Sequence, residues 1–494
     1  MINFAVVIIY SIVFVVGLLY FTYKSPLIRV GDLKPWVMPS ALLIKISAGL
    51  LLFILHIQTY GVDELSHDGE TFFKEGKYLN NVFFQSPGHY LQLLTGIGEN
   101  TWLVEQYLSM TEYWSAGDLS IVNDSKNVIR VHSIIHFFSW NSVYVHLAVM
   151  CFLSLVGVRN LYLAFRDHVR FKKKILFWTI LLVPSTIFWT SSIMKEPLMF
   201  LGISFLLRAL LVREGVFKRV ILTLSACIFL IGFKPYVFFC MLLAIFCAVI
   251  YRHFFSTRFI PALLTILTFT AIGIVMLENP RDTIVHYLTR KQFDFENVGK
   301  GGLHAKADSC FYYFQPKVYN KLTISGRKVV VNEPVDAHII HFGSTKSPIS
   351  VQLQPTGDTL HITYFTQGCK SFIETTPINE SFPQLMANIP EALANSYLRP
   401  YPNDPGSRLK YLSMIEVWIL TIFLVLVLFR HRKIGRDQRA IVFGMITFAL
   451  LLLLLIGWTT PVIGAIARYR FPAQLALVLA GLILIKPNFK LFVK

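Results

Sequence analysis

Charge is scarce in this chain. Asp, Glu, Lys and Arg make up 15% of its 494 residues and hydrophobic types 54%, where a soluble domain carries about 25% and about 45–50%. A purely soluble protein is thereby excluded, and a polytopic membrane protein remains. Cysteine is sparse as well. There are six, and four of them (Cys151, Cys227, Cys240, Cys247) fall in apolar runs, so no paired-cysteine zinc pattern exists. A glycine-rich nucleotide loop of the Walker type is missing too, which argues against ATP-driven transport by this chain alone. No coherent nucleic-acid patch is present, and no nucleic-acid partner is expected.

What charge there is leans strongly positive, with 46 Lys and Arg against 28 Asp and Glu. In a membrane protein such an excess collects in cytoplasmic loops and sets orientation. The apolar runs are Ile2–Tyr20, Met38–Tyr60, a span within Val131–Leu163, Ile175–Met194, Pro197–Val212, Val220–Phe233, Tyr236–Tyr251, Phe259–Leu277, Tyr411–Phe429, Ala440–Trp458 and Phe471–Ile485. That predicts an α-helical polytopic membrane protein of about eleven transmembrane helices, each near the ~20 residues a bilayer core requires. The first run lacks a basic start and a small-residue cleavage site, so it reads as a retained helix. Basic residues cluster around 24–35, 166–174, 213–219, 252–258, 430–439 and 486–494. Placing those segments inside puts the amino terminus outside and the carboxyl terminus in the cytoplasm.

The chain then divides into two N-terminal helices (1–60), a first outer loop with interfacial helices (61–130), a six-helix membrane core (131–277), an outer insert (278–410) and three C-terminal helices (411–494). The insert sits between helices eight and nine. Its runs Phe311–Phe314, Lys328–Val331, Ser350–Leu353 and Thr359–Phe365 are rich in Val, Ile, Thr, Tyr and Phe, with turn residues between them. They predict a small β-rich domain. Cys310 and Cys369 flank it and are either a disulfide or two separate thiols. In the first outer loop, Tyr90–Leu94 and Trp102–Met110 read as amphipathic interfacial pieces.

Both large polar segments fall on the outer face, and the chemistry-bearing residues gather there. Asp63, Glu64, Asp68 and Glu70 stand directly after the second span. Such carboxylates accept a proton from an attacking hydroxyl or hold a divalent cation, Mg or Mn, against a phosphate; the alternative is a solvated acidic turn. Lys195 and Lys234 lie in very tight helix connections, and Arg468 and Arg470 stand just before the last helix. Cations are disfavoured in short outer loops. Their presence points to an anionic ligand, with snorkelling to headgroups as the other reading. Glu416, about a turn inside the ninth helix, is a suspect by its position in the membrane. His132 and His136 have helical i, i+4 spacing but no Glu between them, so they read as a packed or interfacial pair.

Four stretches resemble the GT-C membrane glycosyltransferases that use polyprenyl-phosphate-linked sugars. They are Asp63-Glu64 with Asp68-Gly69-Glu70-Thr71-Phe72-Phe73, then Gln85-Ser86-Pro87-Gly88-His89-Tyr90-Leu91, then Pro184-Ser185-Thr186-Ile187-Phe188-Trp189-Thr190-Ser191 with Lys195-Glu196, and finally Arg468-Tyr469-Arg470-Phe471-Pro472. The resemblance implies an inverting transfer at the outer face of a bacterial inner membrane. A polyprenyl-phosphate-linked sugar would be the donor, and a glycan or glycolipid the acceptor. Asp63 or Asp68 would be the general base or a metal-site carboxylate. Lys195, Arg468 and Arg470 would hold the leaving lipid phosphate. O-antigen type polysaccharide polymerases or ligases also combine many helices with large, arginine-bearing outer loops. The readings outside enzymes are a transporter or flippase of lipid-linked oligosaccharides and a non-catalytic scaffold of an envelope complex.

Overall fold

The computed structural model describes residues 4–60, 67–114, 123–254, 278–307, 310–326, 328–341, 348–366 and 368–486. They form two compact units. The first comprises residues 1–245, 426–438 and 475–494, and the second 246–425 and 439–474.

The first unit contains α1 (Phe4–Lys24), α2 (Val37–Tyr60), α3 (His67–Gln85), α4 (Pro87–Thr95), α5 (Thr101–Leu108), α6 (Asp124–Ser139) and α7 (Val143–Phe165). Next come α8 (Lys173–Leu182), α9 (Pro184–Trp189), α10 (Glu196–Leu211), α11 (Val216–Phe233) and most of α12 (Pro235–Phe254). Of these, α1, α2, α7, α11 and α12 are long and apolar enough to cross a membrane. So are α16 (Lys410–Phe429) and α17 (Arg436–Thr459). The short α18 (Ile463–Tyr469) and α19 (Phe471–Leu484) add an eighth span if taken together, bent by 45°. The described residues therefore carry seven or eight such helices where about eleven were expected.

Two runs account for the difference, together with a third that lies outside the described residues. The run within Val131–Leu163 still supplies one span, α7, but begins with the separate helix α6, because Trp140 and Asn141 adopt left-handed conformations, φ 49° and 59°, which end a helix. Ile175–Met194 breaks at Pro184, which has no N–H to continue α8 and instead starts α9. Pro197–Val212 becomes α10, whose 16 residues rise about 24 Å against a hydrocarbon core of about 30 Å. It is enclosed by protein along most of its length. The expected eighth span, Phe259–Leu277, lies outside the described residues, as do Asp63 and Glu64.

Within the second unit, α13 (Glu278–Lys300) leads into one antiparallel sheet of seven strands. The strands are β1 (Gly302–Lys306), β2 (Cys310–Phe314), β3 (Leu322–Ser325), β4 (Lys328–Val331), β5 (Val335–His341), β6 (Ile349–Leu353) and β7 (Thr359–Thr366), in the order β3-β4-β7-β1-β2-β5-β6. The four expected strands are β2, β4, β6 and β7. Leu303, Ala305, Phe314, Val329, Val335 and Ala337 form the buried face, at the alternate positions a one-sided sheet requires. The β3–β4 turn places Gly326 at φ +58°. No disulfide joins Cys310 to Cys369; each remains a thiol. Cys310 pairs with His341 across β2 and β5, and Cys369 Sγ points at the Val298 carbonyl.

Arg470, at the bend between α18 and α19, is fully buried. Its guanidinium donates to the carbonyls of Ser396 (3.1 Å), Tyr397 (3.3 Å) and Arg399, and to Ser413 Oγ (2.7 Å). It gathers the carbonyls that the single wide turn at Ala394–Leu398 leaves without helical partners.

Candidate functional site

The first unit assembles charge at the start of α6. Asn123 caps that helix, its Oδ1 accepting from the amides of Ser125 and Lys126, both at 3.1 Å. The cap leaves Asp124 in the first turn, where the helix dipole favours a carboxylate. Two of the lysines singled out by sequence converge on it. Lys195 Nζ stands 2.9 Å from Asp124 Oδ2 and donates to Ser125 Oγ at 2.9 Å. Lys234 Nζ stands 3.6 Å from the same oxygen.

Each lysine is fixed by its own scaffold. Lys195 ends the turn between α9 and α10, which is locked by Thr190 Oγ1 donating to Thr186 O and Ser192 Oγ donating to Trp189 O. From α2, Lys45 Nζ donates to Thr190 Oγ1 at 2.8 Å. Lys234 separates α11 from α12, and Asn127 of α6 donates to the carbonyl of Gly232 just before it, at 2.8 Å.

Helix α3 closes another side. Positions 68, 72 and 75 share one of its faces at i, i+4, i+7 spacing. The Lys195 ammonium lies 5.4 Å over the ring of fully buried Phe72. Asp68 is close enough to act on Lys195 electrostatically, and its Oδ1 accepts from Tyr113 at 3.4 Å. Glu75 Oε1 accepts from the amides of Glu112 (2.5 Å) and Tyr113 (3.4 Å). Its Oε2 is buried without a hydrogen-bond partner among the described residues. Glu70 instead pairs with Lys74 one turn on, away from this face.

Burial and charge oppose each other here. Burial would raise the Asp124 carboxyl, but the Lys234 and Lys195 ammoniums outweigh it and hold it below the usual carboxylate range. Lys195 is pushed down, first by burial and then by Lys234, with Asp124 and Asp68 opposing. Burial pushes Glu75 up to about 7, against its two amide donors. The two lysines are 8% and 5% exposed, while the Asp124 side chain is 35% exposed. Two desolvated cations thus sit behind one reachable carboxylate. This arrangement suits an incoming anion that exchanges with Asp124 or joins it.

No family model, curated protein or solved structure matches the chain.

Of the residues expected at the site, the structure brings together Lys195, Lys234 and Asp68. Arg468 and Arg470 belong to the second unit. The Arg468 guanidinium lies 5.9 Å over Tyr469, and Arg470 is engaged as described above. Asp124 was missed, although Asn123-Asp124-Ser125 is visible as a helix-capping sequence. The buried group of Glu99, Lys126, Arg130 and Trp114 behind it was also missed. Glu99 Oε1 accepts from Trp114 Nε1 (2.9 Å) and Lys126 (3.4 Å), and its Oε2 from Arg130 (3.0 Å). It ties α6 to the loop after α5. Among the described residues no three His, Cys, Asp or Glu side chains surround a metal position. Asp63 and Glu64, two of the four carboxylates expected to hold a divalent cation, lie outside the described residues.

Proposed function

We propose that this chain is a membrane glycosyltransferase of a bacterial inner membrane. It transfers a sugar from a polyprenyl-phosphate donor to a glycan or glycolipid acceptor on the outer face. The observation that carries this reading is the convergence of Lys195 and Lys234 on Asp124 beside Asp68.

In the transfer, an acceptor hydroxyl oxygen attacks the anomeric carbon. The bond from that carbon to the phosphate oxygen breaks, and its electron pair leaves on the polyprenyl phosphate. Lys195 and Lys234 neutralise the charge that builds on the departing phosphate, and in a water-poor setting such stabilisation is strong. The acceptor proton goes to a carboxylate on the α3 side, for which Asp68 has the position. Arg470 is left out of the phosphate seat because main-chain carbonyls take up its guanidinium. The apolar helices supply a lipid-facing surface for the donor tail.

The test is sugar transfer by the detergent-solubilised full-length protein from polyprenyl-phosphate sugars. K195M and K234M should each lower turnover by about a hundredfold or more, with normal protein levels. In cells, an unmodified lipid-linked acceptor should build up. Accumulation of complete single repeat units would favour a polymerase instead. Unchanged surface glycan in K195M, K234M and D68N would remove the site altogether.

A further inference from the structure

A packed group of three histidines, two of them hydrogen-bonded to each other, adjoins the elements of the Asp124 site. His132 and His136 come from α6 and His146 from α7, and His132 and His146 are fully buried. The tautomers of the chain follow from its ends. His132 Nε2 lies 2.9 Å from the Ile193 carbonyl, which only accepts, so Nε2 carries the proton. His132 Nδ1 is then an acceptor, and His146 Nδ1, 2.8 Å away, donates to it. His146 Nε2 in turn accepts from Ser139 Oγ at 3.0 Å. His136 Nε2 donates to the Phe73 carbonyl at 2.9 Å, and its ring centroid is 4.4 Å from that of His146.

The two carbonyls at the ends of these bonds are the informative part. Ile193 is two residues before Lys195, in the turn that presents it. Phe73 follows Phe72, over which the Lys195 ammonium lies, on the helix that carries Asp68. Both histidines sit on α6, the helix that begins with Asp124. Helix α3 is pressed close at this level: a Cβ on Gly76 would come within 2.7 Å of His132 Cβ. Neutral imidazoles thus join all three elements of the site.

We propose that His132 and His136 are positioning residues of the Asp124 site. Donating to the Ile193 and Phe73 carbonyls, they hold the Lys195 turn and the Asp68-bearing face of α3 at working distance from Asp124. The proposal rests on the reading of that site as a phosphate seat, and it adds a sensitivity to protons. Among the described residues, the groups that face the cluster offer a proton no counter-charge. They are the other imidazoles of α6 and α7, Ser139, the carbonyls of Ile193 and Phe73, and from α3 the cation Lys77, which opposes protonation of His136. Burial accordingly holds His132 and His136 down to about 4. Acid therefore favours an opened state in which the rings reach water, and both carbonyls are released.

The experiment is hydrogen–deuterium exchange of the full-length protein in detergent, followed in segments 189–195 and 67–76 and corrected for intrinsic rates. In the wild type, protection of both segments should fall about tenfold per pH unit between about pH 6.5 and about pH 4, as one proton is taken up per opening. H132A should lower protection of 189–195 at every pH, and H136A that of 67–76. H132Q and H136Q keep an amide donor without a titrating ring, so each should restore protection of its segment and flatten its pH dependence. Titration with geranyl phosphate should show affinity following protection. If the Ala and Gln variants exchange like the wild type in these segments, the proposal is overturned. If protection follows the variants while the wild type takes up no geranyl phosphate, the positioning stands and the phosphate reading falls.

Discussion

Lys195 and Lys234 direct their ammonium groups at one oxygen, Oδ2 of Asp124, from 2.9 and 3.6 Å. Like charges this close are held by the carboxylate between them. Asp124→Asn removes the carboxylate that the two desolvated cations share, and breaking a fully buried ion pair costs about 3–5 kcal/mol. Asp124 is one-third exposed, so a loss of about 1–3 kcal/mol is expected, read by thermal unfolding in detergent. Geranyl phosphate should restore much of the lost stability, because it supplies the missing anion. An unchanged melting curve would show that the lysines have another counter-ion.

Glu75 makes a separate prediction, in pH. Its carboxyl is pushed up to about 7 from an ordinary value of 4.5, so between those limits the folded state binds the proton that the unfolded chain has lost. Stability is then full below pH 4.5 and declines as pH rises through about 7, by an amount on the order of 3 kcal/mol. Glu75→Gln keeps an oxygen for the Glu112 and Tyr113 amides and removes the ionisation. The variant should lose this decline and exceed the wild type in stability at pH 8. Parallel pH–stability curves for the two proteins would refute the assignment.

For Arg470, the geometry predicts a structural loss centred on residues 394–410. Arg470→Met strands the carbonyls of Ser396, Tyr397 and Arg399 together with Ser413 Oγ. The expected cost is about 3–5 kcal/mol. Exposed Arg408 provides the readout: trypsin should cut after it faster in the variant, before the rest of the chain is digested. Equal cleavage rates would mean the turn does not depend on this guanidinium.

The sequence made the membrane character and the four most β-branched or aromatic strands legible, because both follow from composition over a window. Helix breaks were less so. Pro184 could be read directly, but the reversal at Trp140-Asn141 shows itself only as two left-handed residues that no pattern demands. At the site, Lys195 and Lys234 stood out because cations are out of place in short outer turns. Asp124 did not, since an acidic residue after an Asn is ordinary in a long polar loop and gains meaning only when α6 brings it to both lysines. The His132 and His136 pair was read as packed or interfacial histidines, and the third ring, His146, lies in the next helix, beyond any local spacing. Arg470 was legible as unusual, yet its partners are main-chain carbonyls, which carry no sequence signal.

Gly49 gives the most direct link from helix packing to the lysine turn. It lies on α2, four residues after Lys45, where the helix runs against the turn leading to Lys195. A Cβ there would stand 2.4 Å from the Ser191 carbonyl oxygen and 2.7 Å from Leu147 Cδ1. The leucine can rotate, but the carbonyl is backbone, so relief requires α2 or the turn itself to move. Such overpacking costs about 1–3 kcal/mol. Because the turn is clamped at Thr190 by Lys45 and at Ile193 by His132, the displacement should be passed on to Lys195. Gly49→Ala should therefore weaken geranyl phosphate binding several-fold beyond what its melting temperature explains. Gly17→Ala on α1, where a Cβ meets nothing within 4 Å, should leave both unchanged. Equal binding by G49A and G17A would show that the Lys195 turn does not depend on its contact with α2.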